Sequence, residues 1–139
     1  MQKTFRVLAR LIAAGVVAQA VLIAAAHFWA IGQVQDGRQL DSSSLTDNAG
    51  DGLHWLLGQI VIPLLAIALV LAGALIRQRR ALVWASVVLG LVIVQIALAY
   101  VAGAVPWLGF LHGLNAFVLL GVVLRIPAPD REPATVVRQ

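Results

Sequence analysis

The chain has no cysteine, and its charged residues make up only 12% of 139 positions, against about 25% in an ordinary soluble domain. Without thiols it can form no disulfide framework, no thiolate nucleophile, no thioether-attached haem and no cysteine-held iron–sulfur cluster. No Ser-His-Asp set, Gly-rich phosphate loop or zinc motif stands in the sequence. The aspartates at 36, 41, 47 and 51 lack the alternate spacing and closing Glu of an EF-hand, so capping and solubility explain them better than Ca²⁺. Aromatic residues are also few, 6% with a single tyrosine.

What fills the chain instead is apolar: 61% of residues are hydrophobic, and the mean hydropathy is +0.94. The length allows one domain. Four apolar blocks, about 11–31, 53–76, 81–105 and 107–124, are each long enough to cross a hydrocarbon core about 30 Å thick. The first follows a basic start, as a signal peptide would, but its run is too long for a signal core and more spans follow. The expected fold is an all-α, integral membrane, up-down-up-down four-helix bundle over residues 1–126, with 127–139 a short disordered tail. Pro63 is expected to kink the second helix and free the Gln59 carbonyl. Gly15, Gly73, Gly90 and Gly121 are expected to permit close helix approach.

Charge sets the orientation. Lys3, Arg6, Arg10, Arg77, Arg79, Arg80, Arg125, Arg131 and Arg138, less Asp130 and Glu132, leave +7 on one side. The long first loop carries four aspartates against Arg38, a net of −3, which completes the formal +4. Basic residues stay in the cytoplasm, so both termini are expected inside a cell membrane and residues 32–52 outside. The sequence pI near 11.2 therefore reflects topology and contact with anionic lipid, not nucleic acid. Trp29, Trp55 and Trp107 fall near outer helix ends, as interfacial tryptophans do. The lipid bilayer is the first partner; a second membrane protein or a second copy of the chain is compatible with the pattern.

The two halves of the chain resemble one another. Leu53-His54-Trp55-Leu56-Leu57-Gly58 aligns with Leu111-His112-Gly113-Leu114-Asn115-Ala116, and the lone Gln19 of helix one matches the lone Gln95 of helix three. Two hairpins of one pattern point to an internal repeat, and the paired His and Gln carry nearly all its weight. In a bundle ordered 1-2-3-4, helices two and four lie diagonally, about 11–14 Å apart for neighbours packed at 8–10 Å. Imidazoles reaching inward from there can grip one metal from opposite faces, as axial histidines grip haem iron. Gly58 and Ala116, four residues after each His, would leave space for a flat macrocycle. Counted from Arg77 and from Arg80 through Tyr100, both histidines stand about 30–34 Å up; counted from Arg125, His112 stands only about 20 Å up.

This order of helices, with His54 and His112 near the starts of helices two and four and His112-Gly113-Leu114-Asn115-Ala116 opening the last, resembles one four-helix half of a haem A synthase. Small four-helix membrane proteins of the same His pattern are similar too. The resemblance implies that His54 and His112 are axial ligands of a b-type haem. The first loop has neither the cysteine pair nor the glutamate of that family, so the resemblance implies haem binding without haem modification and no catalytic residue.

Other readings use the same residues. A cofactor-free accessory or structural subunit needs the histidines only as interfacial groups, with Gln19, Gln95 and Asn115 as interhelical hydrogen-bond partners. His27 has no counterpart in helix three and fits an interfacial place or one supporting the ligands, as do Gln95 and Tyr100. Three histidines at one depth suit Zn²⁺ or copper, although their wide spacing is a weak signal. An enzyme acting on lipid or quinone lacks an identifiable acid. Because the chain has no native thiol, Ser43→Cys and Gln78→Cys test the orientation directly. An impermeant thiol reagent applied from outside should label the first and spare the second; the opposite result would reverse the topology.

Overall fold

Residues 1–41 and 48–126 are described in the computed structural model, and every regular element among them is helical. Helix α1 runs Gln2–Gln35, α2 Ala49–Ile76, α3 Arg79–Ala104 and α4 Gly109–Leu124, entered through a 3₁₀ turn at Pro106–Leu108. The expected disordered tail, and the caps expected from residues 42–47, lie outside the described residues. Each helix packs on its neighbour in sequence, and α1 closes the ring against α4, which leaves α2 and α4 on a diagonal. All four helices are long and apolar enough to cross a membrane. The molecule is an all-α integral membrane four-helix bundle.

Local chemistry explains where the helices stop. Gly37, at φ 79°, closes α1: its N–H donates to the Val34 carbonyl and that of Arg38 to the Gln33 carbonyl. This is the Schellman arrangement, and glycine takes the left-handed position without steric cost. Asn48, extended at φ −137°, opens α2 by accepting the Asp51 N–H at 2.9 Å, so the cap is a residue later than the Asp41–Asp47 stretch that the sequence offers. Val105 is driven out of helical geometry (φ −132°, ψ 84°) by the following Pro106.

Pro63 has a different outcome from a simple kink. Residues Leu57–Val61 form a π-helical turn in which the Ile62 N–H reaches back to the Leu57 carbonyl. The widened turn lies directly ahead of a proline ring that cannot donate and that clashes with a regular preceding turn.

The buried residues follow a helical period: Phe5, Ala9, Ile12, Ala13 and Val16 on α1; Ile62, Ala66, Leu69 and Ala72 on α2; Ala81, Ala85, Val88 and Val92 on α3; Leu119 and Val123 on α4. This core occupies the end of the bundle that carries the basic residues. It reaches Phe5, fully buried, so the basic start belongs to the bundle and α1 is longer than the expected 11–31. Alanine is the commonest buried residue, while Leu64, Leu71, Leu75 and Phe117 are exposed. That inversion of a soluble protein's pattern suits a bilayer, where association depends on close packing of small residues. Towards the other end Ala26 is the only buried apolar residue among the described residues.

Two glycines hold helices together at backbone contact. A Cβ at Gly73 would stand 3.2 Å from the Ala81 carbonyl oxygen, across the α2–α3 turn. At Gly50 it would stand 2.8 Å from the Leu22 carbonyl oxygen and 3.0 Å from the Ala26 nitrogen. Gly15 meets Ile62 as expected, but Gly90 has nothing within 4 Å and Gly121 meets only Arg125 of its own helix. Those two glycines do not mark helix contacts. In detergent, Gly50→Ala should lose about 1–3 kcal/mol of stability because backbone atoms cannot yield to the added methyl. Gly52→Ala, with open space around it, should gain up to about 1 kcal/mol from helix propensity. Thermal melts compare the two, and equal shifts would remove the α1–α2 contact from the account.

Candidate functional site

The paired histidines stand where the close-packed core gives out. His54 Nδ1 lies 3.1 Å from the backbone oxygen of Gln19, and His112 Nδ1 lies 3.1 Å from the backbone oxygen of Gln95. A carbonyl can only accept, so each Nδ1 carries a ring proton, and in the neutral imidazole Nε2 then keeps its lone pair. The same bond therefore joins α1 to α2 and α3 to α4, between the residues that the internal repeat matches. The imidazole ring centres are 6.5 Å apart, with planes tilted by 54°. His54 and His112 thus share one level, as the count through Tyr100 requires. The count from Arg125 fails because α4 is much shorter than its neighbours.

Beyond these bonds the halves differ. Asn115, 9% exposed, donates to the Leu91 carbonyl at 3.0 Å and to Gln95 Oε1 at 2.6 Å. The Leu91 carbonyl fixes which end of Asn115 is the amide nitrogen, and Asn115 in turn fixes Gln95. Gln95 Nε2 is left to donate to the His112 carbonyl at 3.0 Å and to His112 Nε2 at 3.1 Å. Donation runs one way, from Asn115 through Gln95 to the imidazole. In the first hairpin Leu57 stands where the repeat has Asn115. Gln19 Oε1 is buried without a partner, and its Nε2 sits 2.7 Å from where a Gly58 Cβ would project.

The remaining candidates divide. Gly58 packs on the Gln19 amide, and half-buried Ala116 packs on the apolar core. Gln95 is in direct contact with His112. Tyr100 is 69% exposed, and His27 is exposed with its ring edge-on to Phe28. Neither is hydrogen-bonded to the pair. Among the described residues, no three His, Cys, Asp or Glu side chains come together, so the three histidines do not form one metal cluster. Trp29, Trp55 and Trp107 are exposed near the helix ends by the acidic loop.

The donor set fits a metal held by two imidazoles. Ligating histidines characteristically donate the other ring N–H to a carbonyl, which fixes tautomer and orientation. Two rings bound through nitrogen at about 2.0–2.1 Å to one ion have centres roughly 6 Å apart, close to the spacing here. A metal bound at His112 Nε2 would displace the Gln95 N–H that now donates there. Comparison with family models, curated proteins and solved structures finds no match to the chain.

The sequence offered no direct sign of the imidazole–carbonyl bonds, because the acceptors are backbone atoms. The one-residue difference between Leu57 and Asn115 was legible, and it governs the polar asymmetry. Asn115→Leu should cost about 1–3 kcal/mol by leaving Gln95 Oε1 without a donor. A double-mutant cycle with Gln95→Leu in thermal melts should recover much of that loss. Additive losses would show that the two amides do not act as a unit.

Proposed function

We propose that the chain binds one b-type haem in the half of the bundle nearer the acidic loop, between α2 and α4, for electron transfer or haem handling. His54 and His112 would hold its iron through Nε2. The observation that carries this reading is the matched pair of Nδ1–H to backbone carbonyl bonds, which holds the two imidazole rings across the diagonal with centres 6.5 Å apart, a spacing suited to one metal. When bound, the haem supplies reversible one-electron chemistry at its iron. The protein holds the imidazoles in one tautomer through the two carbonyl bonds. Its leaving most apolar burial to the basic end gives a bound macrocycle room without cutting into the core. The resemblance to half of a haem A synthase supports the same assignment. The termini and the Arg77–Arg80 turn lie on the cytoplasmic side of the cell membrane, and residues 32–52 lie outside.

A second reading, a cofactor-free accessory subunit of a larger membrane complex, is favoured by one contact: Gln95 already donates to His112 Nε2. In that case the polar cluster is a structural clamp between α3 and α4.

An absorption spectrum decides between them. Purified protein, or protein titrated with haemin in detergent, should show a Soret band and the reduced α and β bands of six-coordinate low-spin haem b. Pyridine haemochrome should identify haem b, and acid-acetone should extract it fully, since no cysteine can hold it covalently. His54→Ala and His112→Ala should each abolish the six-coordinate spectrum, while His27→Ala leaves it in place. A colourless protein that takes up no added haemin would leave the accessory-subunit reading standing.

A further inference from the structure

The two candidate ligands are not equivalent. His54 makes only the Nδ1 bond to the Gln19 carbonyl, and its Nε2 has no hydrogen-bond partner among the described residues. The nearby Gln19 amide is itself unsatisfied at Oε1, so no hydrogen bond to that oxygen is lost when it moves. His112 Nε2, by contrast, receives a hydrogen from Gln95. Three further bonds lock that amide: Gln95 Nε2 to the His112 carbonyl, and Asn115 to both Gln95 Oε1 and the Leu91 carbonyl. A metal ion drawing on the His112 lone pair must compete with this donor and break into the network. At His54 there is no such competitor. Both rings keep the same backbone anchor, so the difference lies in the second ring nitrogen alone.

We infer that, within the haem-binding reading above on which this rests, His54 is the permanent ligand and His112 the exchangeable one, so that the iron face towards α4 opens to a small neutral diatomic ligand such as carbon monoxide. Gln95 is the positioning residue that sets the exchange, because its N–H stabilises the detached His112 imidazole. Asn115 acts through Gln95 by holding the amide in the donating orientation. The repeat supplies an internal comparison: with Leu57 in place of Asn115's equivalent, the Gln19 amide of the first hairpin has no such hold.

The test uses full-length protein in detergent, loaded with haemin and reduced, with helix content monitored by circular dichroism to confirm folding. His54→Ala should lose haem affinity by tenfold or more, on the scale of about 10–100-fold typical of weakened metal sites. His112→Ala should retain haem with a five-coordinate spectrum. Reduced wild-type protein should bind carbon monoxide, and Gln95→Leu should weaken that binding about tenfold by removing the donor that competes for His112, with six-coordinate haem kept. The Gln95→Leu measurement stands even if a histidine variant fails to fold. Six-coordinate haem with equal loss from the two histidine variants, or carbon monoxide affinity unchanged or raised in Gln95→Leu, would overturn the inference while leaving haem binding intact. Wild-type protein that takes up no haemin would remove the haem reading itself, and this inference with it.

Discussion

An imidazole N–H placed inside a bilayer must find its acceptor in the protein, because lipid tails offer none. Here both paired histidines meet that demand with a backbone carbonyl of the preceding helix. A helix carbonyl has two lone pairs and can accept a second hydrogen beside that of its own ladder. The bond requires the helices to approach closely, and it fixes the rotation of α2 against α1 and of α4 against α3. The shared level of the two rings and the polar network around Gln95 both depend on it.

The bundle divides its labour along its length. At the basic end, small and medium apolar residues from all four helices interlock around Phe5, Leu69, Val88 and Leu119. Such packing resists change, since a dense interior has few voids to absorb it. Further along, the polar cluster takes over, and specificity comes from hydrogen-bond direction instead of volume. Large Leu and Phe side chains turned outward complete the fit to lipid.

Much of this architecture is legible in the residues. Four apolar runs define four helices, and the basic clusters at 3–10 and 77–80 mark their ends. His54 pairing with His112, and Gln19 with Gln95, is readable from the repeat, and the structure places the paired residues in the same bond. The limits are physical. Backbone acceptors leave no trace in side-chain chemistry. Gly90 and Gly121 look like contact points, but only the surroundings of a glycine decide whether a helix lies against it, and Gly50 makes the closest approach to a neighbouring backbone. The burial of Phe5 was readable from its spacing to Ala9, Ile12 and Val16, yet the adjacent Lys3 and Arg6 draw attention to the headgroups instead.

The π-helical turn at Leu57–Val61 has a consequence for how α2 is phased. It carries one residue more than an α-helix would over the same stretch, and an α-helix advances about 100° per residue. The segment bearing His54 is therefore rotated by roughly that angle relative to the segment bearing Ile62, Ala66 and Leu69. One continuous span thereby presents two independently aimed faces: an apolar stripe to the core below, and an imidazole to α4 above. Excising a residue from the wide turn would straighten the ladder while swinging His54 away from its diagonal partner. The bulge works as a phase shifter between the two ends of the bundle.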